Sequence, residues 1–218
     1  MAKAVGFRTT GTVKDWSKFE ATFEEHGTST TGPLLAKYEF ASPRNAFCDE
    51  TKTKLFKDVE NESGLAIFLA DVDMGGLGAF MGGESYQRYV ADADNEKVDP
   101  EAGNVLAPAG PDAPPVADMF AILAVKDFDV WYAGFKEHST SKTGTWGFEV
   151  PITRSEFCDD AKTRVFRSVK DPNCLAIDMK QVDMSKLGPV LGDPDFNKLT
   201  EVLGEIPDQK KMYYVVQA

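Results

Sequence analysis

The stretch that decides the fold is "VKDWSKFEATFEEHGTSTTG", Val13–Gly32, because the chain spells it a second time as "VKDFDVWYAGFKEHSTSKTG", Val125–Gly144. About half of the aligned positions are identical, and the register continues beyond them. After a two-residue shortening, "PRNAFCDETKTKLFKDV" aligns with "ITRSEFCDDAKTRVFRSV". This keeps Arg44/Arg154, Phe47/Phe157, Cys48/Cys158, Lys52/Lys162 and Phe56/Phe166 in step. "LAIFLADVDMGGLG" then meets "LAIDMKQVDMSKLG". A match of this length is a duplication. The protein's two histidines, His26 and His138, fall in the same frame of the two copies.

Each copy reads as the same order of elements. A short apolar strand ("AVGFRTT", "DMFAILAV") precedes a helix. Trp16, Phe19 and Phe23, like Phe128, Trp131 and Phe135, recur at i, i+3 and i+7, which is one helical face. Asp15 and Asp127 stand where an N-cap belongs, and Gly27 suits a C-cap. Two runs rich in β-branched and apolar residues flank "ENES" and "KDPN", the pattern of a hairpin. A second helix opens near Met74 or Met184, and "KMYYVVQ" closes the chain as a strand. The reading is α+β: two tandem β-α-β-β-α-β halves, the split βαβ or ferredoxin-like pattern. One such half leaves a sheet face bare. Two halves packed sheet to sheet as an intramolecular pseudo-dimeric barrel would bury both faces. The expected divisions are residues 1–100, a Pro/Gly/Ala-rich linker over 101–115 that could hold a strand at Asn104–Ala107, and residues 116–218.

Composition narrows the partners. A net charge of -11 argues against nucleic acid, whose phosphates need a basic patch, and against anionic membrane surfaces. No apolar run approaches the roughly 20 residues that cross a bilayer. "MAKAVGFRTTG" lacks the apolar core of a secretory signal. Three cysteines, an odd number without a CxxC, suit a reducing compartment. A cytoplasmic protein is expected, or an organellar one after loss of a transit peptide. It would be complete as a monomeric pseudo-dimer or would pair again as a homodimer.

Read together, "VKDW..F...FEEH" after a strand, the hairpin, and "VDM..L..F" opening a helix resemble the dimeric α+β barrel superfamily. The likeness is to its antibiotic biosynthesis monooxygenase-like branch. Asp15, Trp16, Phe19, Phe23 and His26 carry it in the first copy. Asp127, Phe128, Trp131, Phe135 and His138 carry it in the second, and Asp73–Met74 and Asp183–Met184 match the second helix opening. The chain departs from the family in a longer segment between His26 and the hairpin, "YEFASPRNAFCDE", matched by "FEVPITRSEFCDD". The superfamily includes cofactor-free oxygenases, haem-degrading enzymes, cyclases, isomerases and proteins of no known activity, so the fold alone does not fix a function. The resemblance implies a cavity between sheet and helices for a small apolar molecule.

The candidate residues each carry two readings. His26 and His138 end their aromatic stripes and face inward. They are either acid/base groups at a cavity mouth or helix-end imidazoles bonded to carbonyls. Cys48 and Cys158 are thiol nucleophiles, half of a Cys2His2 metal site, a disulfide, or small buried apolar residues. Arg44 and Arg154, beside Asp49 and Asp159, clamp a ligand carboxylate or form salt bridges. Trp146, Tyr38 and Phe148, in the added segment, are candidates for a pocket wall. "GGLGAFMGG" is not a phosphate loop, and no catalytic triad or HExxH is present. The expected function is binding of a small apolar or aromatic molecule, with oxygenase, cyclase or isomerase chemistry that needs neither cofactor nor metal. A non-catalytic binding or assembly module is the second reading. A metal or haem protein using the His/Cys pairs is the third.

Overall fold

The computed structural model describes residues 3–92, 102–110 and 112–216. The fold is mixed α+β and divides into two compact units, the first ending at Ala107 and the second running Pro108–Val216.

In the first unit β1 (Lys3–Thr12) leads into α1 (Trp16–Thr28), β2 (Asp49–Asp58) and β3 (Gly64–Asp73). Then come α2 (Met74–Gly82), α3 (Glu84–Asp92) and β4 (Ala102–Pro108). The strands are antiparallel in the order β4-β1-β3-β2. The second unit repeats this with β5 (Val116–Ala124), α4 (Phe128–Glu137), β6 (Asp159–Ser168) and β7 (Cys174–Asp183). It ends with α5 (Met184–Leu191), α6 (Pro194–Val202) and β8 (Lys211–Val215), and its strands order as β8-β5-β7-β6.

Local chemistry sets the element ends. Asp15 Oδ1 accepts from Lys18 N at 3.0 Å, and Asp127 Oδ1 from Asp129 N and Val130 N, which satisfies free amides at each helix start. Asp73 and Asp183 do the same for α2 and α5. Helix α1 runs past Gly27 and is capped at Ser29, whose amide bonds Glu25 O. Gly27 has another reason to be glycine: a Cβ there would stand 2.8 Å from Glu50 Oε1. Its missing side chain admits an ion pair that the sequence does not reveal.

The linker segment, expected to be able to hold a strand at Asn104–Ala107, supplies β4 as the fourth strand of the first unit. Residues 101 and 111 lie outside the described residues, but Ala102–Pro108 pairs with β1 through Phe7↔Val105 and Thr9↔Gly103. Val105 and Leu106 carry its apolar character, and Leu106 is buried. The surrounding Pro, Gly and Ala mask that signal, and Pro108 sits at the strand end, where a missing amide is tolerated. Helices α3 and α6 are a further addition to the expected order.

Asp71 and Gln181 occupy the same place in β3 and β7, both at φ 51°. Asp71 drops out of the pairing between Ala4↔Val72 and Gly6↔Ala70, and the register is the same on both sides of it. Leu69 and Val72, on either side of it, share one core cluster with Phe7, Phe47 and Leu77. That cluster fixes the sheet face on which the helices lie. Among the described residues, no helix is long and apolar enough to cross a membrane.

Candidate functional site

The repeated "EH" pair is explained by the loop it anchors. Glu25 turns back from α1, and its Oε1 accepts from Leu34 N at 3.1 Å. In the second unit Glu137 Oε2 accepts from Thr145 N at 3.0 Å and from Thr145 Oγ1 at 2.9 Å. His26 Nε2 lies 3.1 Å from Ser42 O, and His138 Nε2 lies 2.8 Å from Ile152 O. A carbonyl only accepts, so Nε2 carries the proton and Nδ1 keeps the lone pair. Each Glu-His pair therefore pins both ends of the long segment that follows its helix.

In the first unit a cavity of about 210 Å³ lies between sheet and helices beside this pinned segment. Phe7 and Thr9 of β1 and Ile67 and Leu69 of β3 form its floor. Phe19, Thr22, Phe23 and His26 come from α1, and Leu77, Phe80 and Met81 from α2. Tyr86 and Tyr89 reach in from α3, Phe40 and Phe47 from the pinned segment, and Gly103 from β4. A Cβ on Gly103 would stand 2.4 Å from the Phe7 ring, so only glycine leaves room for that ring. The wall is almost wholly aromatic and aliphatic, and its polar groups are few.

His26 is the polar group best placed within that wall. Its ring lies 4.8 Å from both Phe40 and Phe80, stacked on Phe80 at 22°. Burial pushes its pKa down to about 4, outweighing the bond to Ser42, which favours the charged form. The imidazole is neutral at pH 7, and Nδ1 has no hydrogen-bond partner among the described residues. Such a group accepts a hydrogen bond well and takes a proton poorly. His138 is also pushed down, again chiefly by burial. Tyr86 and Tyr89 are pushed up by burial, so both stay phenolic donors.

Arg44 lies under the cavity with its guanidinium 3.4 Å over the Phe23 ring. Its partner is Glu50, not Asp49: Nε and Nη2 donate to Oε2 and Oε1 at 2.7 and 2.6 Å. Asp49 faces the other way, toward Thr51 and Lys52. Arg154 repeats the arrangement over Phe135 with Asp160 rather than Asp159. The arginines are thus neutralised in place, which removes the carboxylate clamp from the stronger readings.

The cysteines are held as buried thiols. Cys48 and Cys158 are buried, each thiol donating to the carbonyl of Arg44 or Arg154 at 3.4 Å. Burial raises the pKa of both. All three cysteines are free, which rules out the disulfide, and among the described residues no group of three His, Cys, Asp or Glu is placed to hold a metal.

The added segment gives mixed results. Phe40, missed in the sequence, lines the cavity, whereas Tyr38 stands behind it, edge-on to Tyr89 with ring centres 5.1 Å apart. Trp146 is buried against His138 in the second unit, and Phe148 lies under Lys198. Neither reaches the open cavity. Phe80, Tyr86 and Tyr89 were also missed. Tyr86 and Tyr89 recur at i and i+3, the one trace of α3 in the sequence.

No family model and no curated protein matches the chain. Among solved structures the chain is similar to one assigned as a monooxygenase from Lactobacillus acidophilus NCFM. The identity is 10%, over 99% of this chain and 94% of that one, with a TM-score of 0.32. It is similar to an anthrone oxidase-like protein at 12% identity, over 97% and 91% of the two chains, with a TM-score of 0.31. A structure assigned as chlorite dismutase TA0507 matches at 8% identity, over 97% and 95%, with a TM-score of 0.29. At such identities and TM-scores the likeness carries no argument.

Proposed function

We propose that the first unit binds a small, flat, largely apolar molecule that carries one hydroxyl or N–H group. The observation that supports this is the aromatic-walled cavity with a neutral, singly bonded histidine in it. An apolar cavity of roughly 150 Å³ holds benzene, so about 210 Å³ suits one or two fused rings. The rings supply dispersion and burial, and His26 Nδ1 orients the ligand by accepting its hydrogen bond. A hydrogen bond of this kind is worth about 1 kcal/mol, roughly fivefold in affinity.

The histidine's low pKa favours binding over proton abstraction. Oxygenase, cyclase or isomerase chemistry is the second reading, with His26 as the base and a ligand acidic enough to yield its proton to it. The fold belongs to the same proposal: the units are tandem ferredoxin-like repeats, and their pairing as a pseudo-dimeric barrel rests on the sequence argument from bare sheet faces.

The test compares 1-naphthol with naphthalene by isothermal titration calorimetry. Naphthol should bind about fivefold tighter to the wild type, and the preference should vanish in His26→Phe while naphthalene still binds. If neither compound binds up to its solubility limit, the reading fails.

A further inference from the structure

We infer that the second unit carries the same binding site closed by its own side chains, with Leu203 and Met212 standing where a ligand stands in the first unit. The inference rests on the proposed first-unit site for its ligand chemistry. The framework is duplicated: Phe135, His138, Arg154 and Ile177 hold the positions of Phe23, His26, Arg44 and Ile67. Yet the enclosed space falls from about 210 Å³ to about 80 Å³.

Strand register identifies one cause. In the first unit Thr9 pairs with both Ile67 and Gly103. In the second, Ala121 pairs with both Ile177 and Met212. Met212 therefore replaces Gly103 at the cavity wall and projects a side chain where the first unit has none. The helix supplies the second cause. Gly134 takes the place of Thr22 on α4, and a Cβ there would stand 2.2 Å from Leu203 Cδ2. Leu203 follows α6 and packs into the notch that this glycine leaves. Trp131 replaces Phe19 and adds a larger ring, held by Nε1 donating to Glu205 Oε1 at 3.1 Å. Three side chains fill one volume: Met212 from β8, Trp131 from α4 and Leu203 from the residue that follows α6.

The same chemistry lies beneath the plug. His138 Nε2 donates to Ile152 O, as His26 does to Ser42 O, so its Nδ1 carries the lone pair. Removing the plug should expose a second site for the same kind of aromatic molecule with a hydrogen-bond donor.

The test counts 1-naphthol equivalents by calorimetry. The wild type should take one, and Leu203→Ala/Met212→Gly should take two, the second within about tenfold of the first in affinity. A folded double variant that still takes one equivalent overturns the inference, as does a wild type that takes two. If the double variant fails to fold, Leu203→Ala alone decides: a second, weaker site sustains the inference and its absence overturns it. A wild type that takes none, with a variant that takes one, overturns the proposed first-unit site and sustains the occlusion.

Discussion

Acidification should cost this protein stability through its histidines before its carboxylates protonate. In the folded chain His26 stays neutral down to pH about 4, whereas in the unfolded chain it protonates near 6.5. Between those values unfolding takes up a proton, so stability falls as pH is lowered and the loss is complete below about 4. A fall from 6.5 to about 4, at about 1.4 kcal/mol per pH unit, makes the loss about 3 kcal/mol. The cause is burial among Phe40, Phe80 and the cavity wall, which the carbonyl of Ser42 only partly offsets. His138 acts in the same direction. Urea denaturation from pH 7 to 4.5 should show this slope, and His26→Gln should flatten it by about one proton, or about 1.4 kcal/mol per pH unit. With only two histidines, imidazole C–H resonances can be assigned from single variants and titrated directly. A His26 resonance that titrates at pH 6 or above would refute the reasoning, because the ring would then be in water.

Two other outcomes follow from the buried polar groups. Glu50→Ala strands the Arg44 guanidinium, whose side chain is only 5% exposed, and should cost about 2–3 kcal/mol in urea denaturation, less than a fully buried pair because Glu50 is a quarter exposed. Arg44→Met/Glu50→Ala should recover most of the loss. A cost below about 0.5 kcal/mol would mean that the pair behaves as a surface one. The thiols of Cys48, Cys158 and Cys174 should react slowly with 5,5′-dithiobis(2-nitrobenzoate) in the folded protein and fully in denaturant, because all are buried and burial disfavours the thiolate of Cys48 and Cys158. Rapid labelling of Cys48 in the folded state would contradict its placement.

Much of the architecture is local and was legible. The aromatic stripe from Trp16 to His26 has helical spacing, Asp15 and Asp127 cap at once, and the hairpin strands show their composition. Strand β4 showed only as a short possible strand at Asn104–Ala107, and helices α3 and α6 were not read at all. Val105 and Leu106 are two apolar residues in a Pro/Gly/Ala background, and Tyr86 and Tyr89 are one pair on a short helix.

The site divides along the same line. The sequence by itself determined that His26 and His138 face inward and that Arg44 and Arg154 recur with acids beside them, because periodicity and repetition are properties of the chain. Only the tertiary structure decided that Glu50 and Asp160 are the partners, that Phe40 rather than Tyr38 walls the cavity, and that one cavity is open while its copy is filled. Those outcomes turn on single positions brought together from distant segments. Glycine at 103 and methionine at 212 look unrelated along the chain, and strand pairing alone makes them the same place.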